Sequence, residues 1–312
     1  MQTHSLKLLC AALLASSLAP AAHAVQISTH GTGQVLLFPY YTVRNGFVTQ
    51  LTVVNTQSNT KLIKVRFREA VNGRNVMDFA VFLSPNDTWT AAVFPTTQGA
   101  RVVTNDNSCV TPSDLFTEAR VDGLGLGLNA FKNYLYTGSF ADDAVLASLD
   151  RTREGYFEVF EMGVIDPSLS PTAAQIAGYA AVGTATSNCA ALDAFDPSAG
   201  RPQPSFPDNG ALMIAPPQGG LAGRASLINA ATGANYSFTP TALEAFTTSV
   251  AYGTAGTDRP ALVDATPASS MVTTPAGVVI ANWATGRDAV SAVLMREAIV
   301  NEFVIDEGTV SQ

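Results

Sequence analysis

The chain has 312 residues, 47% of them hydrophobic and only 13% charged, with a formal net charge of -8. That composition excludes an intrinsically disordered chain and supports one large core or two ordinary ones. With 17 Lys and Arg against 25 Asp and Glu, it also lacks the basic balance of a nucleic-acid binder.

Residues 1-24 read as a secretory signal peptide. Lys7 supplies the positive start, Leu8 to Leu18 the apolar stretch, and Ala22-His23-Ala24 the small-x-small cleavage site. The apolar run is shorter than the roughly 20 residues a membrane-spanning helix needs, and no later stretch is long enough. The expected location is therefore the periplasm, the cell surface or the medium, with no transmembrane segment. Cleavage removes His4, His23 and Cys10 and leaves one histidine, His30. A Ser-His-Asp triad, a Cys-His pair or a multi-His metal site would have to be built on that residue. No cofactor or metal is expected. Cys109 and Cys189 remain, and two cysteines in an exported chain predict one disulfide.

From Val35 to Phe94 the pattern is antiparallel β. Asn45-Gly46 lies between the runs Val35 to Val43 and Phe47 to Val54. Asn72-Gly73 lies between Lys61 to Ala70 and Val76 to Leu83. Each pair predicts a hairpin. In Lys61 to Glu69, Ile63, Val65 and Phe67 alternate with Lys64, Arg66 and Arg68, which predicts a half-buried strand with a cationic outer face. Ser84 to Asp87 is a turn, and Thr88 to Phe94 a strand carrying Trp89. Thr111-Pro112-Ser113-Asp114 predicts a helix start. Residues 122-129 are glycine-rich, but Gly123, Gly125 and Gly127 lack the spacing of a phosphate-cradling loop.

Arg153 to Ile165 predicts a strong strand, and Ser170-Pro171 the cap of a short helix. Residues 183-222 read as loop or linker. Arg224 to Ala230 and Tyr236 to Pro240 flank a turn at Thr232-Gly233. Thr241 and Glu244 match a capping box for a helix over Ala242 to Phe246. Val278 to Trp283 reads as a strand, Thr285 and Asp288 as the cap of a helix holding Val290, Val293 and Leu294, and Ala298 to Ile305 as a last strand. The fold expected is mainly β: one or two immunoglobulin-like antiparallel β-sandwiches with short accessory helices. The divisions are a β-sandwich region at 25-165, an irregular segment at 166-222 and a second β-rich region at 223-312.

Several blocks resemble a family of exported, uncharacterised cell-surface proteins of Gram-negative bacteria. They are Phe38-Pro39-Tyr40-Tyr41-Thr42-Val43, Asn45-Gly46-Phe47, Val53-Val54-Asn55-Thr56, Lys64-Val65-Arg66-Phe67-Arg68-Glu69, Leu83-Ser84-Pro85, Arg151 to Tyr156, Glu161-Met162-Gly163 and Val300-Asn301-Glu302-Phe303-Val304. The resemblance implies export and a surface role; it brings no activity and no site.

Among the residues themselves, Glu158 and Glu161 are the candidate acidic pair. They suit glycoside hydrolysis if both carboxylates flank one bond. In a regular strand they fall on opposite faces, and Arg66, Arg68 or Arg153 could pair with them across strands. Lys64, Arg66 and Arg68 form a cationic stripe that would suit an acidic polysaccharide or a lipid headgroup, or simply face water. Asp142, Asp143 and Asp150 could hold calcium, although no calcium-loop spacing is present. Phe38, Tyr40, Tyr41, Trp89 and Phe94 are either a sugar-stacking platform or core. The function expected is a non-catalytic cell-surface or extracellular protein, paired by strand edges with itself or another surface protein. The alternative is a polysaccharide-binding module or carboxylate-based glycoside hydrolase.

Overall fold

A computed structural model describes residues 24-117, 126-133, 136, 148-195, 214-274 and 277-296. Residues 1-23 of the signal peptide expected over 1-24, together with Gly123, Gly125, Asp142, Asp143 and the strand expected over Ala298 to Ile305, lie outside the described residues. The protein is mainly β, with 43% of the described residues in strands and 16% in helices. The strands are β1 (Gln26–Ile27), β2 (Val35–Thr42), β3 (Val48–Asn55), β4 (Thr60–Glu69), β5 (Asn75–Leu83), β6 (Thr88–Pro95), β7 (Ala100–Val103) and β8 (Cys109–Thr111). They continue with β9 (Glu154–Ile165), β10 (Ile214–Ala215), β11 (Leu221–Asn229), β12 (Ala234–Phe238), β13 (Thr241–Glu244), β14 (Ser269–Thr274) and β15 (Gly277–Asn282). The helices are α1 (Pro171–Ala180), α2 (Cys189–Leu192) and α3 (Gly286–Arg296).

One sheet runs β1-β13-β2-β9-β4-β5-β8, with β10 beside the end of β9; a second runs β12-β11-β3-β6-β7. All named pairings are antiparallel. The sheets pack face to face over a shared core. Leu36, Phe38, Ile63, Val65, Phe67 and Phe157 come from the first sheet, and Leu51, Val53, Trp89, Val93, Val102 and Leu221 from the second. Phe38 stacks on Phe157 with ring centroids 4.2 Å apart. Strands from beyond residue 220 are built into both sheets, β11 beside β3 and β13 beside β2. The sandwich is larger than the seven to nine or so strands of an immunoglobulin domain.

The outer face of the first sheet is also covered. α3 packs Ala289, Val290, Val293 and Leu294 with Phe160, Leu243 and Phe246. α1 and α2 pack Ile176, Ala180 and Leu192 with Leu62, Phe82 and Met162. A sheet buried on both faces needs apolar residues at successive positions, which is how β5 and β9 read.

The hairpin expected at Asn45-Gly46 does not form. Both residues do take positive φ, 55° and 80°. However, β2 belongs to the first sheet and β3 to the second, so the turn is a corner between sheets. Thr49 Oγ1 fastens that corner, accepting from Thr42 N at 3.0 Å and donating to Thr42 O at 2.8 Å. The hairpins at Asn72-Gly73 and Thr232-Gly233 do form, as β4–β5 and β11–β12. Ser170 caps α1 by accepting from Ala173 N, and Thr285 caps α3 by accepting from Asp288 N.

Two expected helices are absent from the described residues. Residues 112-116 make successive turns after β8. Thr241–Glu244 is a strand, because Glu244 is engaged by Gln26 Nε2 and Ser28 Oγ from β1 and its neighbourhood instead of capping a helix. The segment expected as a plain linker carries α2, β10 and the start of β11. The disulfide expected between Cys109 and Cys189 is present, tying β8 to α2 with Cα atoms 5.0 Å apart.

Candidate functional site

The cationic stripe does not face water. Lys64 and Arg66 are fully buried and Arg68 is 4% exposed. The segment over residues 254-259, far along the chain, lies across them. Lys64 Nζ donates to the carbonyls of Thr254, Thr257 and Arg259 at 2.8, 2.6 and 2.8 Å. Arg66 Nη1 donates to Asp258 O, and Gly256 N donates to the carboxylate of Asp78 on β5. The alternation of charged and apolar residues in β4 is real. What it encodes is a polar layer between the sheet and its covering segment.

Glu158 belongs to the same layer. It stands opposite Arg66 in the β9–β4 register. Its Oε2 accepts from Arg66 Nε at 2.8 Å and Arg68 Nε at 3.3 Å, and Arg66 Nη2 lies 2.7 Å away. Burial alone would raise this carboxyl, but the Arg66 and Arg68 guanidinium charges outweigh it and hold it below the usual carboxylate range.

Glu161 has different partners altogether. It stands opposite Ile63, three positions along β9 from Glu158, and the register shift between Leu62 and Ile63 lies on its other side. Its Oε1 lies 2.6 Å from Lys61 Nζ and accepts from Gln218 N at 3.0 Å, and its Oε2 accepts from Gly219 N at 2.7 Å. Here burial dominates and pushes the carboxyl up, with the Lys61 charge and the two amides offsetting it only in part. The structure therefore does not bring Glu158 and Glu161 together. Both are buried and partnered: Glu158 takes the cross-strand pairing with Arg66 and Arg68 that the sequence left open, whereas Glu161 takes Lys61 and two loop amides that the sequence did not point to. Arg153 joins neither; it pairs with Asp150 and donates to the carbonyls of Thr96 and Thr97.

A second polar hub escaped the sequence reading. Glu69 closes the β4–β5 hairpin by accepting from Val71 N, Asn72 N and Arg74 N, from Arg151 Nε at 3.1 Å and from Tyr136 Oη at 3.0 Å. Arg151 in turn lies 4.1 Å over the Tyr136 ring. The only signal was a carboxylate placed just before a glycine turn.

The aromatic residues divide. Phe38, Tyr41 and Trp89 are core, while Tyr40 and Phe94 are partly exposed. Tyr40 Oη donates to Glu154 beside an open cleft of about 250 Å³ lined by Arg44, Val71, Asp150 and Arg151. Its charges are already matched, with Arg44 bridging Asp150 and Glu154 at 3.0 and 2.8 Å. His30 is exposed in a loop. Among the described residues no three His, Cys, Asp or Glu side chains gather as a metal-ligating group. No described helix is long and apolar enough to cross a membrane.

One surface feature stands apart. Val278, Val279 and Ile280 on β15 are 58%, 52% and 52% exposed, and Trp283 just after the strand is also exposed. β15 pairs with β14, and β14 is fastened to the sandwich through Val25, whose N–H donates to Ser269 O and whose carbonyl accepts from Met271 N. Among the described residues, Val278 to Asn282 pair only with β14. The sequence marks this strand by three successive β-branched residues with no charge. No protein-family model, no curated protein and no solved structure matches the chain.

Proposed function

We propose that this is an exported, non-catalytic surface or extracellular protein that associates with a second copy of itself through the edge of β15. The exposed run Val278-Val279-Ile280 carries the reading. Edge strands are normally blunted by Lys, Pro or a covering element, and β15 has no Lys, no Pro and no charge. Scattered apolar side chains on a surface are ordinary, but a contiguous set along one strand marks an interaction site.

The second copy is the partner that fits. Each chain carries a net charge of -8, so two copies repel except where they meet at an uncharged surface. An antiparallel strand pairs with itself about a twofold axis, and such an isologous contact closes after two copies. The signal-like leader and the resemblance to exported surface proteins support the location. The glycoside hydrolase alternative loses its acidic pair, since Glu158 and Glu161 are buried and already partnered. The test is light scattering behind size exclusion on the cleaved protein across a concentration series. A dimer that Val279→Lys splits into folded monomers is expected. A monomer at all concentrations, or a dimer indifferent to Val279→Lys, overturns the proposal.

A further inference from the structure

Lys61 and Lys64 sit three residues apart on β4 with their side chains fully buried, yet their amines are served very differently. An ammonium has three N–H bonds to place. Lys64 finds three carbonyl oxygens within 2.8 Å, and Asp78 lies 3.7 Å away. Lys61 has one partner among the described residues, Glu161 Oε1 at 2.6 Å. A buried charge left with two N–H groups unplaced is a costly arrangement, and side chains that can react have a way out of it.

Glu161 is prepared for attack. The consecutive backbone amides of Gln218 and Gly219 point at its two oxygens. The Gly219 amide faces Oε2, where it can hold the negative charge of a tetrahedral intermediate, and the Gln218 amide faces Oε1, the oxygen nearest Lys61. Burial at this position also favours the protonated acid. Amine and carboxyl are held in contact by two strands of one sheet, so no association step remains.

We propose that Lys61 and Glu161 condense to an isopeptide bond that links β4 to β9. A proton first passes from Nζ to Oε1 along the 2.6 Å contact, leaving a neutral amine and a neutral acid. The Nζ lone pair then forms a bond to Cδ, and the negative charge on Oε2 is held by the Gly219 N–H. A second proton moves from Nζ to the Oε1 hydroxyl, the Cδ–Oε1 bond breaks and one water leaves. Nothing is oxidised or reduced. The amide keeps one N–H and one carbonyl oxygen, and that oxygen retains the Gly219 donor.

The test is mass spectrometry of the purified, reduced wild-type protein, intact and after digestion. The expected result is a mass lower than the sequence by one water, with a branched peptide joining the segments that hold Lys61 and Glu161. Lys61→Arg should restore the full mass. Full mass in the wild type, with Lys61 and Glu161 recovered in separate linear peptides, overturns the proposal. So does a loss of water that maps to any other position.

Discussion

Arg66 and Glu158 stand opposite one another on β4 and β9, with Nε 2.8 Å from Oε2 and both side chains wholly buried. A buried ion pair gains little over a well-packed apolar pair, but removing one partner strands the other charge. Arg66→Met should therefore lower stability by about 3–5 kcal/mol in urea unfolding. The double variant Arg66→Met/Glu158→Leu should recover most of that loss. Additive losses would mean that the pair is not coupled.

Acid should weaken both this layer and the hub around Glu69. Glu158 and Glu69 are both held below their ordinary range, Glu158 by two guanidinium groups and Glu69 by the hairpin amides and Arg151, against the opposing effect of burial. A depressed carboxyl stabilises the folded state at any pH above its unfolded value, about 4.3, and that contribution disappears as pH falls through the folded value. Stability should hold down to about pH 5 and then drop steeply. Glu158→Gln should flatten that acid limb. Glu161 acts in the opposite sense: its raised carboxyl penalises the folded state once pH passes above the unfolded value. If Lys61 and Glu161 stay a separate amine and acid, Glu161→Gln would remove that penalty above the unfolded value and leave the limb below it unchanged.

Lys64 is the pin of the covering segment. Lys64→Met removes the donor shared by Thr254, Thr257 and Arg259. Hydrogen exchange at Gly256, whose amide is bonded to Asp78, should then accelerate by on the order of tenfold or more, an opening easier by about 1.4 kcal/mol or more. Exchange in the β11–β12 hairpin, which touches none of these groups, should stay as it was.

The Cys109–Cys189 link spans 80 positions of sequence. Closing a loop of that size in the unfolded chain is worth about 4.5 kcal/mol in the chain-entropy account. Replacing both cysteines by Ser should cost about 2–5 kcal/mol in denaturant unfolding. Adding a reductant to the wild type should reproduce the loss.

Much of this architecture was written locally. The caps at Ser170 and Thr285, the Asn72-Gly73 turn and the alternation in β4 all use residues a few positions apart, so pattern reading reaches them. Asn45-Gly46 shows where that reach ends. The dipeptide sets two positive φ angles but not which sheet the next strand joins. Thr241-to-Glu244 shows the same limit, because the Glu that would cap a helix is taken by Gln26 and Ser28, more than 200 positions earlier. The stripe Lys64-Arg66-Arg68 was visible as charge, and its burial was not, since the segment that covers it lies some 190 positions later. The strand Val278 to Ile280 was legible as a strand; its exposure depends on how the ribbon meets Val25.

β9 sits at the centre of the larger sheet, between β2 and β4, although it is made long after both. A chain released from its N-terminus has two strands with an empty slot between them until residue 165 has emerged. Contacts of such long sequence separation are slow to form. Under the proposed export, that delay serves the protein: the sheet cannot close over its own middle while the chain still has to pass through a membrane in extended form.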